Sequence, residues 1–175
     1  MELHVAKYLV GIKFCAEALI TCLDIESNED IQMVAIYGHG GVGKTTIVKD
    51  IYNKISHHFE AKVFLENVRE RSKTNEGIIC LQKILLSKIL RGRNLKVCNV
   101  SSGITMINEC LCQKRVLIIL DDMDNLDQKE KLLGKCDQFA AGSRIIMTTR
   151  NKHVRTYVIH LLGTYVTILC NWLIL

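Results

Sequence analysis

The sequence contains no proline, whereas proline averages about 5% of residues in soluble domains, and it also lacks a dense run of basic residues. The closest candidates, at 69–73 and 91–96, alternate Arg and Lys with other residue types. A formal net charge of +5 spread in this way is typical of a solvated surface rather than of a stripe that binds nucleic acid. We therefore expect no nucleic-acid partner.

Paired cysteines and a secretory signal are absent as well. The eight cysteines, at 15, 22, 80, 98, 110, 112, 136 and 170, form neither CxxC pairs nor a cluster with histidines, which argues against a zinc site. The first residues lack a basic region followed by an apolar run with a small-residue cleavage site. These absences predict a cytoplasmic protein whose cysteines are reduced, buried thiols.

The length and composition of the chain limit the number of domains that it can form and indicate that it folds. At 175 residues the chain is long enough for one domain with a sizeable core and too short for two full ones. Hydrophobic residues make up 49% and charged residues 23%, which is ordinary globular composition rather than that of a disordered chain.

Glycine is scarce, with 11 residues in all, yet four of these fall within positions 38–43 of the stretch GHGGVGKTT. An apolar run at 33–37 precedes this stretch and a helical pattern follows it, which is the context of a phosphate-binding P-loop. Glycine lets the backbone take positive φ and approach an anion closely. The residues predicted to bind nucleotide here are Gly38, Gly40, Gly41, Val42, Gly43, Lys44, Thr45 and Thr46.

Within that loop, backbone amides and side chains are expected to bind different parts of the nucleotide and its Mg²⁺. The amides of 41–45 and the helix N-terminus are expected to hold the α and β phosphates. Lys44 is expected to reach the β and γ phosphates, and Thr45 to offer its hydroxyl to Mg²⁺. The alternative is a glycine-rich turn that binds nothing.

The remaining pattern alternates strands with helices. Strands are predicted at 33–37, 62–68, 115–122 and 143–150, and helices at 13–24, 44–56, 76–92, 103–114 and 125–135. In the helix over 76–92, the apolar spacing places Ile79, Ile84, Leu85, Lys88 and Ile89 near one face. This alternation predicts an α/β fold with a doubly wound parallel sheet, that is, a three-layer α/β/α P-loop NTPase. Ligands in such sheets bind beyond the carboxyl ends of the strands.

Two charged motifs lie where strands are predicted to end. Asp121 follows five apolar residues and is assigned to Mg²⁺, which takes only one or two carboxylates. Asp122 is expected to orient or deprotonate a water that attacks the γ phosphate, so both aspartates are catalytic candidates. Arg150 closes the strand ending MTTR, where a guanidinium is expected to contact the γ phosphate. The alternative interpretations are solvated acids at a strand end and a surface arginine.

With these motifs in place, the chain resembles the nucleotide-binding NB-ARC domain of plant disease-resistance proteins, in the branch that carries a TIR domain. The resemblance is carried, in the family's order and spacing, by VGI at 10–12, GHGGVGKTT, IYNKISHHFE, FLENVRERSK at 64–73, KRVLIILDDMD at 114–124 and GSRIIMTTRNKHV at 142–154. FLENVRE and the aspartate at 124 are typical of the TIR-associated branch.

The resemblance implies an ADP/ATP switch in defence signalling, in which exchange of ADP for ATP licenses oligomerisation with other immune-receptor chains or signalling proteins. By position it implies that Val10, Gly11 and Ile12 line the adenine pocket and that Arg150 senses the γ phosphate. It also implies, at most, a slow P-loop ATPase.

Departures from the family pattern suggest a truncated fragment. We expect an N-terminal linker and helix over 1–30, the nucleotide-binding subdomain over 31–154 and a divergent apolar tail over 155–175. Leu9 and Ala141 stand where the family commonly has proline, and the resemblance is expected to end after Val154. The alternative function is a receptor fragment that acts only through protein contacts, as an adaptor or decoy, or that has no function. A small-molecule kinase lacks support, because no arginine-rich lid is present.

The tail at 157–175 has 19 residues without formal charge and allows two interpretations. Its length and basic flank suit a membrane anchor. Its β-branched residues and interrupting polar residues instead favour a strand within 164–170, beside the strand that precedes the P-loop. We expect the strand.

Overall fold

The computed structural model describes residues 2–4, 12–92, 96–135, 139–154 and 167–169. Its helices are α1 (Ile12–Cys22), α2 (Lys44–Ile55), α3 (Val68–Arg71), α4 (Asn75–Ile89), α5 (Val100–Leu111) and α6 (Leu126–Leu133), and a 3₁₀ turn spans Ser56–His58. Its strands are β1 (Gln32–Tyr37), β2 (Ala61–Leu65), β3 (Val116–Met123), β4 (Arg144–Thr149) and β5 (Thr167–Leu169).

The five strands form one parallel sheet in the order β2-β3-β4-β1-β5. Strands that are neighbours in the sheet are mostly distant in sequence, so helices must cross over between them, as parallel pairing requires. Because the strands run in one direction, the residues that follow β1, β2, β3 and β4 gather at one edge of the sheet. That edge is where the sequence predicts a ligand.

Helices cover both faces of the sheet, which confirms the doubly wound, three-layer prediction. On one face, α4, α5 and α6 pack on Val63, Ile118, Leu120, Ile145 and Met147, among other buried residues. On the other face, α1 and α2 pack on Val34, Ile36, Leu117, Ile119 and Ile146. Alternate residues of each strand therefore enter opposite cores, and the strands read as continuous apolar runs because both faces are buried.

The strand predicted within 164–170 is confirmed by β5, which pairs with β1 through Ala35 and Thr167, Ile36 and Ile168, and Tyr37 and Leu169. The rest of the tail lies outside the described residues. Among the described residues, no helix is long and apolar enough to cross a membrane.

Two local predictions were wrong. The strand predicted over 62–68 ends at Leu65, because Asn67 takes a left-handed conformation (φ 53°) and Val68 begins α3. The buried face of α4 consists of Ile78, Leu81, Gln82, Leu85, Leu86 and Ile89, so Lys88 is exposed and Ile79 and Ile84 are only half-buried. In a helix this rich in apolar residues, several faces have similar hydrophobicity, and tertiary packing selects one.

The prediction of buried cysteines was also wrong. Six of the eight cysteines lie in the part of the chain that the structure describes, and all six are free thiols. Cys15 is buried in the core and Cys110 is half-buried, whereas Cys22, Cys80, Cys98 and Cys112 are exposed. The exposed four occupy helix surfaces and connections, where the sequence pattern carries little information about burial.

A buried arginine joins the sheet to the loop between α1 and β1. Arg144 is fully buried and donates hydrogen bonds to the backbone carbonyls of Leu23, Asp24, Ser27, Asp30 and Ser143. Burial and the nearby Arg115 lower the pKa of this guanidinium from its usual value. The carbonyl ring compensates the loss of water, so Arg144 fixes the path of residues 23–30 against the start of β4.

Candidate functional site

The loop between β1 and α2 has the backbone geometry of an anion cradle. Gly41 and Gly43 have φ of 81° and 87°, a region that side chains other than glycine rarely adopt. Gly43 is also the residue that caps α2, and it provides no side-chain acceptor for the first amides of that helix. The N-terminus of α2 therefore presents backbone N–H groups and the positive end of its dipole to the loop interior.

Lys44 lies inside this loop. Its Nζ donates to the carbonyl oxygens of Gly38 and His39, each at 2.7 Å, and the residue is only 8% exposed. The two carbonyl bonds hold a buried ammonium group at the start of α2 and compensate part of the water it loses on burial. The loop thus encloses the positive charge of the Lys44 ammonium group.

A network of hydroxyl and carboxylate oxygens lies next to the lysine. Thr45 Oγ1 donates to both carboxylate oxygens of Asp121 at 3.0 Å, and Thr148 Oγ1 donates to Asp121 Oδ1 at 2.6 Å. Asp121 is 3% exposed. A buried carboxylate and a hydroxyl that converge in this way are the oxygen ligands that Mg²⁺ prefers, so the donor set fits this ion.

Asp122 points away from this network because the end of β3 is irregular. The pairing of β3 with β4 shifts register between Leu120 and Met123, and Asp122 takes a left-handed conformation with φ of 56°. Its backbone N–H donates to Thr148 Oγ1 at 2.8 Å. The bulge thus aims two consecutive aspartates at different partners, which is a known use of bulges near functional sites.

The side chain of Asp122 contacts two arginines. Its Oδ1 lies 3.2 Å from Arg150 Nε, and its Oδ2 lies 3.5 Å from Arg69 Nε. Arg150 follows β4 and Arg69 belongs to α3, so the aspartate links two elements at the edge of the sheet. That Asp122 orients or deprotonates a water that attacks the γ phosphate remains a prediction.

The structure brings most of the predicted residues to one cavity of about 270 Å³. The cavity is lined by Gly40, Gly41, Gly43, Lys44, Thr45, Thr46, Asn67, Asp121, Asp122, Thr148 and Arg150. The carbonyl oxygen of Gly38 accepts a hydrogen bond from Lys44, and the partly buried side chain of Val42 packs against the core formed with α1 and α2. Val10 and Gly11 lie outside the described residues, and Ile12 is described only as the first residue of α1.

Asn67, Arg69 and Thr148 belong to the site region and were missed by the sequence analysis. Thr148 is the first residue of the TTR end of β4, and Asn67 lies two residues after β2, whose carboxyl end is at the same edge. The rule that ligands bind at these ends could have found both residues. Arg69 could not have been found in this way, because its contact with Asp122 depends on the turn into α3.

The chain matches the family model described as the NB-ARC domain over residues 15–169. Disease resistance protein RPV1 of Vitis rotundifolia is 47% identical over 154 residues, which are 87% of this chain and 11% of that protein. TMV resistance protein N of Nicotiana glutinosa is 37% identical over 161 residues, which are 88% of this chain and 14% of that protein. The family match extends through β5, so the expectation that the resemblance ends after Val154 was wrong.

Solved structures share the fold at low sequence identity. Cdc6p of Pyrobaculum aerophilum superposes with a TM-score of 0.67 at 14% identity, covering 94% of this chain and 46% of that one. The ORC2 protein of Aeropyrum pernix superposes with a TM-score of 0.52 at 13% identity, covering 93% and 47%. At this level of identity the likeness shows the fold alone.

Proposed function

The chain belongs to the NB-ARC family found in plant disease-resistance proteins of the TIR-NBS-LRR class, and on that basis we propose that it is an ADP/ATP-binding switch module of an immune receptor, acting in defence signalling. Because the chain spans 11% of the length of RPV1, we propose for it only the nucleotide-binding step. We propose 31–154 as the nucleotide-binding subdomain, with 1–30 as a linker and helix, 155–175 as an apolar C-terminal segment and the cytoplasm as its location.

The observation that carries this proposal is the buried Lys44 ammonium enclosed by a glycine loop, beside the hydroxyl–carboxylate pair of Thr45 and Asp121. A buried cation, the backbone amides at the N-terminus of α2 and a positive-φ loop together form a site suited to a polyphosphate. The amides of 41–45 would hold the α and β phosphates, and Lys44 would reach the β and γ phosphates. The ORC2 protein of Aeropyrum pernix, which shares the fold, was solved in ADPNP and ADP complexes, and we choose adenine nucleotides here by that analogy and by the family resemblance.

Mg²⁺ would be held by Thr45 and Asp121, and when bound it neutralises phosphate charge. Thr148 positions Asp121 through the bond at 2.6 Å, so the carboxylate is oriented by the protein. Arg150, which borders the cavity and is the more exposed partner of Asp122, would contact the γ phosphate. Residues 10–12 are proposed for the adenine pocket on the family resemblance alone.

Hydrolysis by this chain is proposed to be slow or undetectable. The cavity that holds the proposed phosphate contacts is bordered by the exposed side chain of Arg150. Strong stabilisation of transition-state charge depends on exclusion of water, which an open site does not provide. The proposal is therefore a binding switch rather than an efficient enzyme.

The substitution Lys44→Ala tests the proposal. We expect ADP affinity, measured by calorimetry, to fall by roughly a hundredfold or more, because a charged donor to the phosphates is lost. Lys54→Ala is the matched control: it removes the same charge from the same helix, at a site where the ammonium pairs with Asp50 at 2.9 Å. Circular dichroism checks that both variants remain helical.

An ADP affinity that is equal in Lys44→Ala and Lys54→Ala would refute the P-loop assignment. If the folded, unmodified chain binds no nucleotide, the alternative of a fragment that acts only through protein contacts is favoured.

A further inference from the structure

Three charged side chains meet at the carboxyl end of β3, and their arrangement carries an inference beyond nucleotide binding itself. Asp122 is 17% exposed in its side chain and lies between Arg150, which is 49% exposed, and Arg69, which is 34% exposed. A carboxylate with little access to water depends on nearby positive charge. If one arginine moves away from Asp122, the other must therefore supply more of the positive charge that this carboxylate needs.

The two arginines differ in where they can move. Arg150 borders the 270 Å³ cavity and lies over the glycine loop, where its Nη1 is 3.6 Å from the position that a Cβ on Gly40 would take. Arg69 borders a separate polar groove of about 470 Å³. Arg150 can therefore reach a phosphate in the cavity, whereas Arg69 approaches Asp122 from outside the cavity.

Arg69 is placed to act on Asp122 through charge. Its Nε is buried and makes no hydrogen bond among the described residues, and its contacts with Asp122 at 3.5 Å and Glu70 at 3.7 Å are electrostatic. Glu70 is itself bound by Lys73, whose Nζ lies 2.6 Å from Glu70 Oε2, and this hydrogen bond lowers the pKa of Glu70. Lys73 is therefore the closer partner of Glu70, and Arg69 divides its charge between Glu70 and the slightly nearer carboxylate of Asp122.

A conflict of charge arises if Arg150 turns to a γ phosphate. The move would leave the Asp122 carboxylate without its nearer cation and close to the phosphate's negative charge, and like charges at such distances repel. An ADP-bound site has no γ phosphate and does not require the move. We propose that Arg69 is a positioning residue that neutralises Asp122 when Arg150 engages the γ phosphate, and so sets the preference of the site for ATP over ADP. This inference rests on the proposed function.

The test compares affinities for ADP and for a non-hydrolysable ATP analogue, each with Mg²⁺, by calorimetry on the full chain. Arg69→Met is expected to weaken binding of the analogue by roughly fivefold, as suits a partly exposed charge pair, and to change ADP affinity by less than about twofold. The matched control is Arg71→Met, which removes the same charge from the same helix, at a side chain whose Nη2 contacts Cys80 Sγ.

A second substitution separates charge balance from a structural role. In Arg69→Met/Asp122→Asn the carboxylate charge is gone, so affinity for the analogue should recover relative to Arg69→Met alone. A merely structural Arg69 would lower both affinities together, and the second substitution would not restore them. Arg69→Gln, which is uncharged but polar, is expected to repeat the selective loss and serves if the Met variant does not fold.

The outcomes distinguish this inference from the function on which it rests. If the unmodified chain binds both nucleotides and Arg69→Met and Arg69→Gln show no selective loss, or the double variant shows no recovery, the inference is overturned and the switch proposal stands. If the folded, unmodified chain binds neither nucleotide, both are overturned.

Discussion

At the scale of single residues, Arg144 is the side chain on which the fold is expected to depend most. Arg144→Met would remove a charged donor from five backbone carbonyls, of which those of Asp24, Asp30 and Ser143 keep a backbone N–H partner, and would leave the carbonyl of Leu23 beside a buried apolar side chain. We expect a loss of roughly 3 kcal/mol in the free energy of unfolding, measured by urea denaturation. Arg71→Met, at a half-exposed position, should change it by less than about 0.5 kcal/mol. Equal losses in the two variants would contradict the role assigned to the carbonyl ring.

Individual residues also show where the sequence could and could not predict the site. The P-loop spacing predicted Lys44 and Thr45, and the apolar run before Asp121 predicted an acid at the same edge, because these features depend on local pattern and strand direction. The different orientations of Asp121 and Asp122 could not be predicted, since they arise from a register shift between β3 and β4. The burial of Arg144 could not be predicted either, because the carbonyls that bind it lie mostly more than a hundred residues earlier in the chain.

At the scale of elements, the order and type of the strands and helices followed from periodicity, whereas boundaries and faces did not. β2 ended early because the backbone conformation of Asn67 terminates it, and α4 buried a face that its apolar spacing did not single out. β5 was expected from the β-branched residues of the tail and from the place for a further strand beside β1. Its three residue pairs with β1 confirm this expectation.

The contribution of β5 is open to a direct test by truncation. A chain that ends at Val154 would leave residues 35–37 of β1 with an unpaired edge, and exposed strand edges promote aggregation. We expect a lower urea midpoint and more aggregate on gel filtration than for the full chain. A chain that ends at Leu169 keeps β5 and is the control, expected to behave like the full chain. Equal midpoints for all three would contradict a stabilising β5.

The same truncation addresses the alternative interpretation of the tail. If the full chain in cell fractions resists carbonate extraction while the chain ending at Val154 does not, the tail inserts into a membrane and the pairing of β5 with β1 is contradicted.

At the scale of the whole molecule, the sheet brings the residues of the proposed site to one edge. The end of β1 provides the glycine loop and Lys44, the end of β3 provides the two aspartates, and the end of β4 provides Thr148 and Arg150. The turn after β2 adds Arg69. Because β4 lies between β1 and β3, its threonine and arginine are placed to contact both the loop and the acids. The fold thus places the Lys44 ammonium group, the Asp121 carboxylate and the Arg150 guanidinium around one cavity, which is the arrangement that the proposed nucleotide switch needs.

The most direct test of this account is the amount of nucleotide carried by the purified full chain. After gel filtration, the protein is denatured and the released nucleotide is identified and quantified by chromatography. We expect roughly one ADP per chain if the affinity is high enough to survive dilution, or uptake to that level after incubation with ADP, and no nucleotide with Lys44→Ala. A folded chain that carries no nucleotide and takes up none when ADP is added would contradict the account.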